Sequence, residues 1–326
     1  MQTVMVTGAT GYIGSHVCKS LREAGYKVIG VDLVKRDHAL PFMDSFIHDD
    51  YNSALCFDAL PIVHAVIHCA GTSLVGPSVS DPAEYYVNNV AKTANFLDVI
   101  RRQEQAPVFV FSSSAAVYGN PGSKEILENT PWSPMSPYGQ SKAMIEIMMA
   151  DYAKAYNLPV MALRYFNACG ADASGELGQA PGATHIIARL LESVRDDAEF
   201  TLYGNDYATP DGTCIRDYVH VTDLASAHML AIQYLQSFGG GWAFNLGSGE
   251  GYSNQEIIDA VGRLVKKPKI KIGDRRDGDP DRLVASNALA KHSLTWSPEH
   301  SDLGTIINSA WKWYNNPSNL VDKPSK

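Results

Sequence analysis

The chain has 326 residues, 45% of them hydrophobic, and 27 Lys plus Arg stand against 35 Asp plus Glu for a net charge of −8. That hydrophobicity excludes a disordered chain, and the acidic balance argues against a nucleic-acid or anionic-membrane surface. At roughly 150 residues per domain, the length suggests about two domains.

The N-terminal half alternates short β-rich runs with longer amphipathic runs. Strands are expected at Thr3–Thr7, Lys27–Asp32, Ser45–His48, Ala65–His68, Val108–Ser112 and Val160–Arg164. Helices are expected at Ile13–Ala24, Ala83–Gln103 and Gly139–Tyr156. This alternation predicts an α/β protein with a Rossmann-type, doubly wound parallel sheet. Beyond Phe166 the rhythm changes. Gly170–Gly182 reads as a long loop, and helices are expected at Ala183–Val194, Val221–Leu235, Asn254–Val265 and Leu303–Tyr314. The expected division is a first domain over 1–166 and a smaller α/β substrate lobe over 167–326, with some segments returning to the first domain. No apolar run reaches the ~18 residues of a membrane helix. Met1–Val6 lacks a basic leader region and reads as a strand. The cysteines, Cys18, Cys56, Cys69, Cys169 and Cys214, form no CxxC pair, which suits a reducing, cytoplasmic compartment. His185 and His220 have no partner at ligand spacing, so no metal is expected.

Three segments carry chemistry. Gly8, Gly11 and Gly14 form G-x-x-G-x-x-G between the first strand and the first helix. Glycines there let backbone N–H groups approach a pyrophosphate, and the helix N-terminus adds partial positive charge. Asp32 lies 18 residues beyond the last glycine, at the end of the second strand. Its carboxylate suits a ribose 2′-hydroxyl and repels a 2′-phosphate, so NAD is expected over NADP. Lys35 and Arg36 close by complicate that preference. The third segment pair is Ser112-Ser113-Ser114 at a strand end and Tyr138-Gly-Gln-Ser-Lys142 on a helix. Tyr138 and Lys142 stand at i and i+4 and share a helix face. A free tyrosine, with a pKa of about 10, is a poor base, but a nearby ammonium favours the phenolate. Ser114 is placed to hydrogen-bond a reacting oxygen.

This trio after a dinucleotide turn resembles the extended short-chain dehydrogenase/reductases. Further blocks are strongly similar to UDP-glucose 4-epimerases: Val66–Gly71, Tyr85–Val90, Leu163–Asn167, Tyr203–Ala225 and Arg275–Asp279. They span nearly the whole chain. The resemblance implies hydride transfer with bound NAD and inversion at C4 of a UDP-sugar, with Tyr138 as base. It places Ser114, Tyr138 and Lys142 in catalysis. It assigns the cofactor site to Gly8, Gly11, Tyr12, Ile13, Gly14, Asp32, Asp50, Tyr51, Cys69, Ala70, Gly71, Asn88, Ser112, Tyr138, Lys142, Tyr165 and Phe166. Substrate contacts are assigned to Ser114, Tyr138, Asn167, Thr184, His185, Thr201, Tyr203, Arg216, Arg276, Asp279 and Leu283. Arg216 and Arg276 suit phosphate, because guanidinium pairs bidentately with phosphate oxygens.

Departures matter too. Ser73 stands where some family members carry a lysine, and the segment after Asp32 is short. Leu283 occupies the position of the sugar-size gate, so UDP-N-acetylhexosamine or a UDP-pentose stays open beside UDP-glucose and UDP-galactose. A 4,6-dehydratase needs an Asp-Glu pair after the active-site Ser or Thr, and here Ala115 and Ala116 have no proton to transfer. A non-catalytic NAD sensor has no need of the Ser114, Tyr138 and Lys142 set. The resemblance also implies a homodimer, formed through the helices Tyr85–Gln103 and Ala143–Tyr156. Met144, Ile145, Ile147, Met148 and Met149 give the second helix more apolar surface than one stripe requires.

Overall fold

A computed structural model describes residues 1–122, 125–275 and 279–320. Its strands are β1 (Thr3–Thr7), β2 (Lys27–Asp32), β3 (Ser45–His48), β4 (Ala65–His68), β5 (Val108–Ser114), β6 (Val160–Tyr165), β7 (Asn167–Cys169), β8 (Glu199–Tyr203), β9 (Ile215–His220), β10 (Gly241–Leu246), β11 (Gly251–Ser253), β12 (Lys269–Gly273) and β13 (Arg282–Leu283).

The first six strands and β10 form a parallel sheet of seven, in the order β10-β6-β5-β4-β1-β2-β3. The inner strands β1, β4 and β6 are short and buried along their whole length, as a sheet covered on both faces requires, while the edge strand β3 is partly exposed. One face is covered by Tyr12–Glu23 and Val221–Phe238, where Val17 and Leu21 share a core with Ala227, Ala231 and Leu235. The other is covered by Lys92–Arg101 and Pro137–Tyr156, where Phe96, Ile100, Ile145 and Met149 pack on Val66, Phe109 and Ala162. Strand order reverses between β1 and β4. The crevice beyond the carboxyl ends of those strands is where dinucleotides bind in such sheets.

A separate core lies among the helices Ile186–Arg195, Asn254–Leu264 and Leu303–Tyr314 together with β8. Two small sheets accompany it. In one, β9 pairs with β11, β13 and β7; in the other, β8 pairs with β12. Later segments cross back: β10 closes the main sheet, and Val219, Leu224 and Trp296 belong to its core.

The single helix expected over Ala83–Gln103 is instead three pieces: Pro82–Tyr85, a π-helical turn Tyr86–Ala91, and Lys92–Arg101. Such turns insert a residue into the helical repeat, which apolar periodicity does not register, and they collect at functional sites. Helix Ile186–Arg195 starts three residues later than expected. Among the described residues, no helix is long and apolar enough to cross a membrane.

Candidate active site

The glycine turn is built by close approach. Gly8 has φ +68°, and its amide donates to the Val31 carbonyl at 2.8 Å. A Cβ on Gly8 would lie 2.8 Å from the Ala70 amide nitrogen, and one on Gly14 only 2.1 Å from the Gly8 carbonyl oxygen. Only bare backbone fits this packing of β1, β4 and the first helix. Gly11 is the N-cap of that helix, with no side chain bonding its first turn. Its N–H groups therefore suit a pyrophosphate. Tyr12 donates to the Gly170 carbonyl at 2.7 Å, which ties the helix to the loop after β7, and Ile13 packs on the core beneath.

Asp32 ends β2. Its carboxylate accepts from the Thr10 amide (2.9 Å), the Thr10 hydroxyl (3.0 Å) and the Val34 amide (3.0 Å). Arg36 donates to the Thr10 carbonyl and hydroxyl, at 3.2 and 3.3 Å. The guanidinium is thus engaged by the turn next to Asp32. Asp50 binds the Lys92 ammonium at 2.6 Å, and the Tyr51 hydroxyl donates to the Asn88 carbonyl at 2.6 Å. The residues fit a dinucleotide with a free 2′-hydroxyl: a glycine cradle, an uncapped helix N-terminus and a carboxylate at the end of β2.

The end of β4 continues into Cys69, Ala70 and Gly71. The Ala70 amide donates to Thr7 Oγ1 at 3.3 Å, and Ser112 Oγ donates to Cys69 Sγ at 3.0 Å. Burial pushes the Cys69 thiol up to about 11, so it is protonated at neutral pH. Asn88 Nδ2 donates to Thr72 Oγ1 at 3.4 Å. Its neighbour Asn89, absent from the sequence expectations, is buried and more deeply involved. It accepts from the Thr72 amide and donates to the Thr72 carbonyl and to Ser141 Oγ, at 2.8, 3.0 and 3.0 Å. Asn89 therefore fastens the Cys69–Gly71 loop to the helix that carries Tyr138 and Lys142.

That helix begins with Ser136 as N-cap and Pro137 in its first turn, both strong helix-start signals. Lys142 is 5% exposed, and its ammonium donates to the Ser112 carbonyl at 2.9 Å. It lies 4.6 Å from the Phe111 ring centroid and 5.8 Å from that of Tyr138. Burial pulls Lys142 down to about 8, against the opposing pull of Cys69 and Glu146. Burial pushes the Tyr138 hydroxyl above its ordinary value, and its hydrogen bond with Ser114 works the other way. The hydrogen bond with Ser114 favours the Tyr138 phenolate, and the Lys142 ammonium, seated on the Ser112 carbonyl, stands close to the same ring. Ser112 also receives the Tyr165 hydroxyl at 2.9 Å, and Tyr165 in turn meets His228. Phe166 packs with Ala115, Ala143 and Leu283.

Most of the expected substrate residues line two cavities, neither of which Ser114, Tyr138 or Lys142 lines. Thr184, Thr201, Tyr203 and Asp279 line one open cavity of about 70 Å3, together with Phe200, Arg189 and Asn254. Asn167 and His185 line a second, water-sized cavity of about 10 Å3 with Tyr218 and Tyr314. Arg216 donates to the Pro280 carbonyl at 2.8 Å and lies 3.6 Å from the Asp279 carboxylate. Leu283 pairs in register with Arg216. Arg276 lies outside the described residues. Asp217, also missed, is wholly buried beside Arg216. Its carboxylate accepts from the Ser248 amide and hydroxyl, the Gly249 amide and the Ala285 amide, and so joins β9 to the turn after β10 and to the chain after β13.

Residues 4–247 match the model of the NAD dependent epimerase/dehydratase family. The chain is 41% identical to the UDP-glucose 4-epimerase of Halalkalibacterium halodurans, covering 95% of each chain. Its fold matches the UDP-glucose 4-epimerase of Brucella ovis in complex with NAD, with TM-score 0.91 and 42% identity over 97% of this chain and 99% of that one. It also matches the Bifidobacterium longum UDP-glucose 4-epimerase in complex with NAD+ and UDP, with TM-score 0.89 and 34% identity over 98% and 100%. A dinucleotide-binding α/β sheet with a Ser-Tyr-Lys site is an extended short-chain dehydrogenase/reductase. Within that class, the chain belongs to the UDP-glucose 4-epimerase family, whose cofactor is NAD.

Proposed function

We propose that the protein interconverts UDP-glucose and UDP-galactose, with Ser114, Tyr138 and Lys142 as its catalytic residues. The class of reaction, NAD-dependent inversion at C4 of a UDP-sugar, comes with membership of the family. The observation that carries the residue roles is the joining of Tyr138, Ser114 and Lys142 at the carboxyl end of β5, next to the Cys69–Ala70 loop that packs on the glycine turn.

NAD supplies the hydride acceptor, and later the donor, at C4 of the sugar. Tyr138 takes the proton from the C4 hydroxyl and returns it after the sugar has turned its other face. Ser114 holds that oxygen in line with the phenol. Lys142 holds the nicotinamide ribose from its seat on Ser112, and its charge favours proton loss nearby. Gly8, Gly11, Tyr12, Ile13 and Gly14 cradle the pyrophosphate. Asp32 takes the ribose hydroxyls, while Asp50, Tyr51, Cys69, Ala70, Gly71, Asn88, Tyr165 and Phe166 wall the cofactor. Arg216 and Arg276 bind the diphosphate, Thr201 and Tyr203 the nucleoside, and Asn167, Thr184, His185, Asp279 and Leu283 the rest of the substrate. Holding the nucleotide tightly leaves the sugar free to rotate, so remote binding energy serves the reacting centre. Ala115 and Ala116, packed beside Ser114, offer no acid or base for eliminating water.

The division of labour at residue 166 follows from these roles, with NAD and base on the first part and nucleotide sugar on the rest. Homodimerisation is proposed on the exposed apolar side chains of Val87 and Ile147, each 54% exposed. A cytoplasmic location is proposed on the five unpaired cysteines. The test is turnover of UDP-galactose by the purified protein, coupled to UDP-glucose dehydrogenase. Rapid formation of UDP-glucose is expected. No turnover with UDP-galactose, UDP-N-acetylgalactosamine or a UDP-pentose would overturn the assignment.

A further inference from the structure

Three consecutive serines at the end of β5 meet three helix residues spaced four apart. Ser114 hydrogen-bonds Tyr138, the Ser112 carbonyl receives Lys142 at 2.9 Å, and Ser113 Oγ donates to the Glu146 carboxylate. Tyr138, Lys142 and Glu146 therefore form one face of the helix Pro137–Tyr156. The third member has no part in the mechanism above, yet it is the most thoroughly anchored. Glu146 and Arg164 are each 4% exposed, and Arg164 grips the carboxylate through Nε (3.1 and 3.0 Å) and Nη2 (2.7 Å). Arg164 is also the register partner of Ser113 on the neighbouring strand. Its other nitrogen, Nη1, donates to the Tyr118 hydroxyl at 2.6 Å and the Glu128 carbonyl at 2.9 Å. Tyr118 passes the chain on to Asn245 at 2.7 Å.

A buried ion pair is poor evidence for stability, since desolvation offsets most of its attraction. Its location says more. We propose that Glu146, seated by Arg164, is a positioning residue for the proton and hydride step: it pins Ser113, and so the strand end that holds Tyr138 and Lys142, and its charge keeps Lys142 an ammonium ion. The inference rests on the catalytic roles proposed for Tyr138 and Lys142. The groups facing Lys142 are Tyr138 and Glu146 on its own helix, Cys69 and His68 from the end of β4, and the Phe111 ring and Ser112 carbonyl of β5. Behind Glu146, on β6, stands the guanidinium of Arg164. Burial depresses Lys142 while Glu146 and Cys69 oppose it. Removing the Glu146 charge therefore moves loss of the ammonium to lower pH.

The experiment uses full-length protein carrying lysine labelled with 13C at Cε, in which Lys142 is assigned by its disappearance in Lys142→Arg. Its titration is followed by NMR in the wild type, Glu146→Gln, Glu146→Asp and Ser113→Ala. Turnover of UDP-galactose is measured alongside. In Glu146→Gln the Lys142 titration is expected to fall by at least half a pH unit, with kcat about tenfold lower and KM within twofold. Glu146→Asp restores the titration. Ser113→Ala keeps the titration and lowers kcat about threefold or more. Should Glu146→Gln fail to fold with Arg164 unpaired, the double variant Glu146→Gln/Arg164→Met carries the test through kcat, expected about tenfold lower with KM within twofold, because it removes both charges of the pair and the anchor of Ser113 together. A Lys142 titration and kcat unchanged in the folded Glu146 variant, or full activity in Ser113→Ala, would overturn the proposal. The titration is read without substrate, so it stands even if the wild type turns over no UDP-sugar.

Discussion

Lys142 and Ser112 meet at the tip of β5, where the lysine ammonium donates to the serine carbonyl at 2.9 Å. That bond fixes the charge beneath the cofactor crevice and 5.8 Å from the Tyr138 ring centroid. Charge and phenol are therefore held apart in a set geometry. In the proposed mechanism, proton transfer at the sugar falls to Tyr138 with Ser114, while Lys142 biases the site electrostatically.

Tyr138→Phe removes the only hydroxyl proposed to exchange a proton with the C4 oxygen. A positioned acid or base contributes ~10²- to 10⁴-fold, so kcat is expected to fall by about that factor. The phenyl ring keeps the packing against Tyr85, 6.5 Å away between centroids, so bound NAD should be unchanged. Steady-state kinetics and the absorbance of released cofactor check both halves. Near-normal turnover would remove Tyr138 from the mechanism.

Asp32→Ala leaves the Thr10 and Val34 amides without their acceptor and removes the proposed partner of the ribose hydroxyl. Hydrogen bonds to charged groups contribute about 1.5–3 kcal/mol, or roughly 10- to 150-fold in affinity. NAD affinity should fall within that range. NADP should lose less or gain, because the repelling carboxylate is gone and Arg36 stands beside the turn. Isothermal titration with both dinucleotides measures the difference, and an unchanged NAD-to-NADP ratio would refute the role.

Much of this site was legible in the residues because its parts lie at strand ends and helix starts, where local sequence speaks. β1 to β4 occur over the residues expected, and the glycine turn, Asp32, Tyr138 and Lys142 sit where their spacing puts them. What escaped depends on distant partners. β10 joins the main sheet beside β6, but Gly241–Leu246 carries no mark of a partner some eighty residues earlier. β8 and β9 flank the turn-rich Gly204–Thr213, which hid both. Asn89, Glu146 and Asp217 are polar residues that read as solvated positions. Their burial comes from Ser141, Arg164 and Ser248, each supplied by another segment.

Acid should unfold the protein steeply. His16, His68, His220 and His228 are buried, and burial lowers them to about 4, 3, 4 and 4. Below the ordinary histidine range of about 6.5, the unfolded chain binds protons that the native one refuses, so stability falls as pH falls. Asp217 opposes this: burial raises it to about 6, so the native state takes up its proton first. Near pH 5 the balance is about three protons per unfolding event, a slope of about 4 kcal/mol per pH unit. Urea denaturation at closely spaced pH values between 7 and 5 reads that slope directly. A flat profile would show that these histidines are charged in the native state.

Ile147→Lys separates the proposed dimer from the monomer's own stability. The side chain is 54% exposed on a helix whose buried members, Ile145 and Met149, already pack on the sheet. Replacing it should change monomer stability by no more than about 0.5 kcal/mol, as at other exposed sites. An apolar contact at the centre of an interface behaves differently, because a lysine there loses hydration without gaining a partner. Light scattering at micromolar concentration should show a dimer for the wild type and half that mass for the variant, with equal thermal midpoints once diluted below dissociation. A wild-type monomer would refute the dimer, and a variant that stays dimeric would move the interface away from this helix.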